Sequence, residues 1–265
     1  MAINTFTSEK RDNIMQTDLV KLLEEFPTIS LKEMNSVRLM NRIDTKYLTD
    51  IETLKRIISS SYGEYMVQEV NGCILSDYVT CYFDTEDYDM YLQHQRGMNN
   101  RTKVRVRRYI NSDIMFLEVK RRNNKGRTDK CRIQISDSLR MNSEQISFLK
   151  DNISYNPYSL IPRLENRFKR ITMVNMNKSE RLTIDVSITF HNISTQAKLD
   201  TGNLVVIELK RNGNTESPIK SILKELMVHP SGFSKYCIGA SLTDPLLKQN
   251  RFKMKQHYIE KITTN

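Results

Sequence analysis

Charged and apolar residues take turns along five short stretches of this chain. Lys103, Arg105 and Arg107 alternate with Val104 and Val106, Glu118 and Lys120 with Leu117 and Val119, and Lys130 and Arg132 with Cys131 and Ile133. Arg181 and Asp185 flank Leu182 and Ile184, and Glu208 and Lys210 alternate with Ile207 and Leu209. Side chains on a strand point to alternate faces, so each stretch predicts a strand with one apolar and one ionic face. A half-buried sheet with its charged face in water gives the same pattern. The shared basic bias opens a second reading, in which the sheet closes and the ionic faces line an interior.

Extending the pattern predicts eight strands: Arg38 to Leu48, Asp77 to Phe83, Arg101 to Ile110, Ile114 to Arg122, Thr128 to Ser136, Leu164 to Val174, Glu180 to Phe190 and Leu204 to Arg211. A helix from about Asp12 to Phe26 follows from Met15, Leu19, Leu22, Leu23 and Phe26 at helical spacing. Asp50 is a good cap for a helix through Leu54, Ile57 and Ile58. Shorter helices fit Tyr88 to Gln95, Ser143 to Asp151, and Pro218 to Val228 behind Ser217. The short links Asn111-Ser112-Asp113 and Asn175 to Ser179 join neighbouring strands as hairpins, which makes the sheet antiparallel. The expected fold is α+β, a closed eight-stranded antiparallel β-barrel with short helices packed outside. A helical segment over 1–36, a barrel domain over 37–247 and a basic, exposed helix or tail over 248–265 complete the expected organisation.

Composition adds a partner class. Lys and Arg number 41 against 31 Asp and Glu among 265 residues, a formal charge of +10, so a polyanion is the natural partner. The longest fully apolar run, Leu204 to Ile207, is far short of the ~20 residues of a membrane span. Cys73, Cys81, Cys131 and Cys237 have no paired spacing and read as reduced, structural residues, which fits a cytoplasmic chain. His94, His191, His229 and His257 are isolated and read as structural or surface residues. The chain has no Gly-rich phosphate loop, dinucleotide fingerprint, serine elbow or cysteine nucleophile motif. Tyr82, Tyr88, Tyr91 and Tyr109 read as packing residues near helix and strand ends. They do not form the stacking platform of a nucleic-acid module.

An enclosed ring of unpaired cations is costly, so a closed basic interior calls for an anion, water and neighbouring carboxylates. Arg fits phosphate oxygens bidentately and Lys acts as a mobile charge, which makes a linear phosphate chain a suitable occupant. Asp44, Glu118, Asp185 and Glu208 are then the acids available to a hard cation, because Mg2+ and Mn2+ sites use a few carboxylates plus substrate phosphates. Glu208, mid-strand beside Lys210, is the best of them, with Glu118 and Asp185 as further candidates.

The order of the motifs resembles the VTC domain, the polyphosphate polymerase branch of the triphosphate tunnel metalloenzymes, from about Arg38 to Gly239. The resemblance rests on Arg42-Ile-Asp-Thr-Lys-Tyr-Leu48, Tyr82-Phe-Asp-Thr85 with Asp89-Met-Tyr-Leu-Gln-His94, Lys103-Val-Arg-Val-Arg-Arg-Tyr109 and Phe116-Leu-Glu-Val-Lys120. It continues through Phe168-Lys-Arg170, Arg181-Leu-Thr-Ile-Asp185, Ile207-Glu-Leu-Lys210 and Ser234-Lys-Tyr236. It implies a tunnel that moves the terminal phosphoryl group of ATP onto inorganic polyphosphate with Mn2+ or Mg2+. Lys46, Arg105, Arg107, Lys120, Arg170, Arg181, Lys210 and Lys235 match the family's phosphate-contacting bases, and Glu208 matches its metal-binding glutamate. Lys103, Lys130, Arg132 and Asp44 are second choices for substrate binding.

Two positions depart from the wider tunnel pattern. Arg42 stands where an acid is common, and Phe168 stands where a tyrosine is expected. A tunnel hydrolase of tripolyphosphate or nucleoside triphosphates and a non-catalytic polyphosphate binder remain alternatives. Any membrane association would come through a separate partner.

Overall fold

The computed structural model describes residues 3–34, 42–124, 127–136, 141–213 and 216–264. The described strands are β1 (Thr28–Ser30), β2 (Arg42–Thr49), β3 (Tyr65–Glu69), β4 (Ser76–Asp84), β5 (Arg101–Tyr109), β6 (Ile114–Arg122), β7 (Thr128–Ile135), β8 (Ile161–Asn175), β9 (Glu180–Asn192), β10 (Lys198–Asp200) and β11 (Val205–Asn212). The helices are α1 (Ile3–Leu23), α2 (Leu31–Met34), α3 (Ile51–Ser60), α4 (Asp89–Gln95), α5 (Ser143–Asn152), α6 (Pro218–Glu225), α7 (Lys235–Thr243) and α8 (Lys253–Thr264). Residues 38–41 of the first expected strand lie outside the described residues.

One sheet runs in the order β2-β11-β9-β8-β4-β5-β6-β7, with every neighbour on this path antiparallel. The short strands β1 and β3 pair in parallel beside β8, and β10 adds to β9. The expectation of a closed barrel is corrected: β2 and β7 end the path and do not pair, so the sheet is an open, curled half-barrel. The reason lies at the outer edge of β2. Lys46 O accepts from Ser231 N at 2.7 Å, and Tyr47 makes an isolated bridge to Pro230, so this edge is already covered by a loop. Proline has no N–H to offer a further strand, which blunts the edge.

The apolar faces look outward onto helices. Leu182 and Ile184 of β9, Ile207 and Leu209 of β11, and Ile171 and Met173 of β8 pack with Leu19 and Leu23 of α1, Leu54, Ile57 and Ile58 of α3, and Ile219 and Leu223 of α6. Full burial of such side chains is worth about 1.5–3 kcal/mol each. The Asp50 side chain accepts from Thr53 N at 2.9 Å and fixes the start of α3. On the other half, Val104, Val106, Leu117 and Val119 pack with Met90 of α4 and Leu149 of α5. With its apolar side held by helices, the sheet turns its ionic side into the curl.

The tail is less exposed than expected. Phe252, Ile259 and Ile262 are buried with Tyr91 and Ile238 in a further cluster that seats α8 against α4 and α7.

Candidate functional site

Strand register gathers the ionic residues onto one concave face. Lys103 stands opposite Lys120, which stands opposite Lys130, and Arg105 stands opposite Glu118, which stands opposite Arg132. At the other end of the sheet Glu208 faces Lys46 and Thr183, Lys210 faces Asp44 and Arg181, and Arg170 faces Asp185. All of the bases and acids singled out in the sequence therefore lie on this face, apart from Lys235, which arrives from α7.

The acids hold the bases in place. Glu118 is 1% exposed and accepts from Arg105 Nε at 2.7 Å and from Lys130 Nζ at 2.6 Å. Burial alone would raise its pKa, yet Arg105, Arg107 and Lys130 bring it down to about 2. Asp185 takes both Arg170 nitrogens and the Lys235 ammonium, and these cations hold it well below the ordinary carboxylate range despite its burial. Glu208 pairs tightly with Lys210 and more loosely with Lys46 at 3.8 Å, and it too is held low.

Arg107 differs from these clamped bases. It is buried, donates to Thr80 Oγ1 at 3.2 Å, and lies over the rings of Tyr78 and Phe168.

Helix α7 delivers Lys235 to the face. A Cβ at Gly239 would collide with Phe190 and Leu164, so only glycine lets the helix lie this close to β8 and β9. Ser234 accepts from Cys237 N at 3.3 Å to start the helix, and the Tyr236 hydroxyl donates to Asp84, which also accepts from Met90 N and Tyr91 N. Phe168 acquires a role that its missing hydroxyl does not suggest. Lys235 Nζ lies 4.0 Å from its ring centroid and Arg170 5.2 Å, so the ring serves as a cation–π platform.

Strands from opposite ends of the sheet line a single cavity of about 580 Å3. Asp44, Lys46 and Glu208 come from one side and Lys103 and Lys120 from the other. Lys46 Nζ also donates to Phe233 O, and Lys103 Nζ to Ser234 Oγ at 2.9 Å, which ties both to the loop before α7. Burial, together with Lys46, Lys120 and Arg105, pushes Lys103 down to about 8.

Among the described residues no three His, Cys, Asp or Glu side chains cluster as a complete metal site. Glu208 and Asp44 on adjacent strands nevertheless open into the same cavity. Such a pair suits a hard divalent cation that completes its shell with phosphate oxygens and water.

The family model of the VTC domain matches residues 41–243. The chain belongs to the VTC domain family. No match is found among curated proteins. Solved structures similar to this chain include a Hippeastrum protein described as an adenylyl cyclase with a dominant triphosphatase activity, at 14% identity over 79% of this chain and 99% of that one, with a TM-score of 0.47. A Vibrio parahaemolyticus protein described as an adenylate cyclase is 11% identical over 76% and 99%, with a TM-score of 0.45. The PH1819 protein of Pyrococcus horikoshii is 14% identical over 76% and 98%, with a TM-score of 0.43.

His94 of α4, read from the sequence as a structural or surface residue, lines the VTC domain's cavity. Arg101, Arg122 and Lys255, not singled out as site residues in the sequence, line it too, and Lys255 lies beyond the matched region. Burial, with Lys103, Arg101, Arg251 and Lys255 around it, lowers the His94 imidazole to about 2 and keeps it neutral. The extension of the Lys103/Lys120 pair by Arg101 and Arg122 was readable from the strand alternation, whereas the arrival of α4 and α8 depends on tertiary packing. No described helix is long and apolar enough to cross a membrane.

Proposed function

We propose that this VTC domain transfers the terminal phosphoryl group of ATP to the end of an inorganic polyphosphate chain held along the concave face. The observation that carries this reading is the gathering of Lys46, Lys103, Arg105, Arg107, Lys120, Arg170 and Lys210 on one concave face, with Lys235 delivered to it from α7. Phosphoryl transfer needs alignment of donor and acceptor and cations spread around the moving group. Arg105 and Arg170 are already oriented by Glu118 and Asp185, so little reorganisation is needed when phosphate oxygens arrive. Arg181 stands on the same face opposite Lys210, one step further along the groove.

The acceptor supports a polymerase over a hydrolase. A terminal phosphate is an anion and needs no general base, whereas water must be activated by a group whose pKa lies near the working pH. Glu118 is engaged by Arg105 and Lys130, and Asp185 by Arg170 and Lys235, so neither carboxylate is free to take a proton from water. Glu208, with Asp44 beside it, would hold a divalent ion. When bound, that ion would neutralise charge on the phosphates. Incubation of purified protein with ATP and manganese should yield ADP and long-chain polymer in step. Free phosphate in place of polymer would favour hydrolysis, and tight binding without turnover would favour a sensor.

A further inference from the structure

The concave face changes chemistry along its length. On β5 its residues run Lys103, Arg105, Arg107, Tyr109, and across the ladders Tyr109 stands opposite Tyr78 of β4 and Arg107 opposite Phe116 of β6. Phe168 of β8 stands opposite Tyr78 in turn. These four rings lie outside the wall of the lysine-lined cavity, with Tyr109 six residues and so roughly 20 Å along β5 from Lys103. The rings form a row. Tyr78 is stacked on Phe168 with centroids 5.1 Å apart at 13°, Tyr109 leans on Tyr78 at 5.0 Å, and Phe116 meets Tyr109 edge-on at 5.9 Å. Guanidinium groups are interleaved with them: Arg107 and Arg170 lie over Tyr78 at 5.8 and 5.1 Å, and Arg132 over Phe116 at 4.4 Å.

This row is not closed like the aromatic core. Tyr65, Tyr91 and Tyr236 are fully buried, and their hydroxyls bond Glu180, Lys248 O and Asp84. Tyr78, Tyr109 and Phe116 are only half-buried, although the sequence reads Tyr109 as a packing residue. Among the described residues no hydrogen bond uses the Tyr78 or Tyr109 hydroxyl. Burial, above all, raises the Tyr78 pKa, so its hydroxyl stays neutral and keeps a proton to donate. Arg132 is exposed, and Glu118 opposite it is taken by Arg105 and Lys130, which leaves the outer face of its guanidinium plane uncovered. A planar, uncharged heterocycle with hydrogen-bonding edges fits such a row, because bases stack on Tyr, Phe and Arg planes. A phosphate chain has no use for rings. One end of the concave face therefore suits phosphates and the other a base, a division that a nucleotide shares.

We propose that Tyr78, Tyr109 and Phe116, with Arg132, form the seat of the donor's nucleobase, a purine stacked at this end of the concave face. The inference rests on the nucleotide-donor reading given above and adds a direction to it. The donor lies with its base at Tyr109 and its triphosphate over Arg107 and Arg105, pointing toward Lys103. The acceptor chain then occupies the lysine-lined cavity.

The test has two arms, both on the full chain without metal. Photolysis of the wild-type protein with 8-azidoadenosine triphosphate, followed by tryptic digestion and mass spectrometry, should place the label on the peptide 109–120, which carries Tyr109 and Phe116. Label on the loop before α7 or on α8 would put the base at the opposite end and overturn the proposal. Calorimetric titration then compares ATP with tripolyphosphate in the wild type, Tyr109→Leu and Tyr109→Phe, with a melting curve to check each fold. Tyr109→Leu should weaken ATP about tenfold, the size of one stacked base, and leave tripolyphosphate unchanged. Tyr109→Phe keeps the ring and should retain most of the ATP affinity. Equal losses for both ligands, or no loss for either, would overturn the proposal. Failure to make polymer from ATP would instead undo the polymerase reading and leave the base seat standing.

Discussion

Arg170 grips Asp185 through two parallel bonds, Nε to Oδ1 at 2.6 Å and Nη2 to Oδ2 at 2.8 Å, and Lys235 adds its ammonium to the same carboxylate. One buried acid thus orients two bases from different elements, β8 and α7. Replacement by Asp185→Asn leaves two cations facing each other without a counter-charge. The free protein should lose about 3–5 kcal/mol of stability. Tripolyphosphate should raise the melting temperature of this variant more than that of the wild type, because the ligand supplies the missing charge. Equal ligand-induced shifts in the two proteins would contradict the arrangement.

Arg107 offers the cleaner test of phosphate contact, since its polar partner is the Thr80 hydroxyl and no carboxylate is orphaned by its removal. Arg107→Gln should weaken tripolyphosphate about tenfold or more with little change in thermal stability. Calorimetric titration beside a melting curve separates the two effects.

Glu208 is the acid best placed for a divalent ion, and it is held by Lys210 and, at 3.8 Å, by Lys46. Glu208→Gln should raise the manganese concentration needed for half-maximal activity by about tenfold or more, the size of one lost charged contact. Binding of metal-free tripolyphosphate should be retained or improved, because the phosphate no longer shares Lys210 with a carboxylate. Full activity with an unchanged metal requirement would remove Glu208 from the metal site.

Lys103 makes binding dependent on pH. Its buried ammonium faces Lys46, Lys120 and Arg105, and its pKa of about 8 lies below that of an ordinary lysine. Bound phosphate favours the charged form and raises this pKa. Binding is therefore strongest below pH 8 and weakens by up to about tenfold per unit as pH rises above it, with uptake of a proton. Titrations at pH 8.5 (roughly half a unit above the free pKa) in buffers of different ionisation enthalpy should show that uptake, and Lys103→Gln should reduce it, the remainder coming from Lys210 and Lys235, which burial also lowers, to about 8 and about 7. A wild type without proton uptake would contradict the prediction.

Much of the sheet was legible because each long strand carries one ionic and one apolar face, a signal that survives without knowledge of its neighbours. Closure was not legible. Whether β7 reaches β2 depends on Pro230 and Ser231, remote in sequence, already lying on the β2 edge. Helix α7 went unseen because Tyr236, Cys237, Ile238, Ala240 and Ser241 are buried around its whole circumference, which leaves no amphipathic period to read. β1 and β10, at three residues each, are too short to show alternation. The concave bases were readable from period two. Their clamping by Glu118 and Asp185 was not, since those pairs depend on register between strands.

The central claim is transfer of a phosphoryl group to phosphate along this groove. It is tested most directly by supplying ATP labelled in the γ-phosphate, with manganese, and separating polymer, nucleotide and free phosphate over time. The label should appear in acid-insoluble chains as unlabelled ADP accumulates in equal amount. Label released as free phosphate with no polymer formed would contradict it.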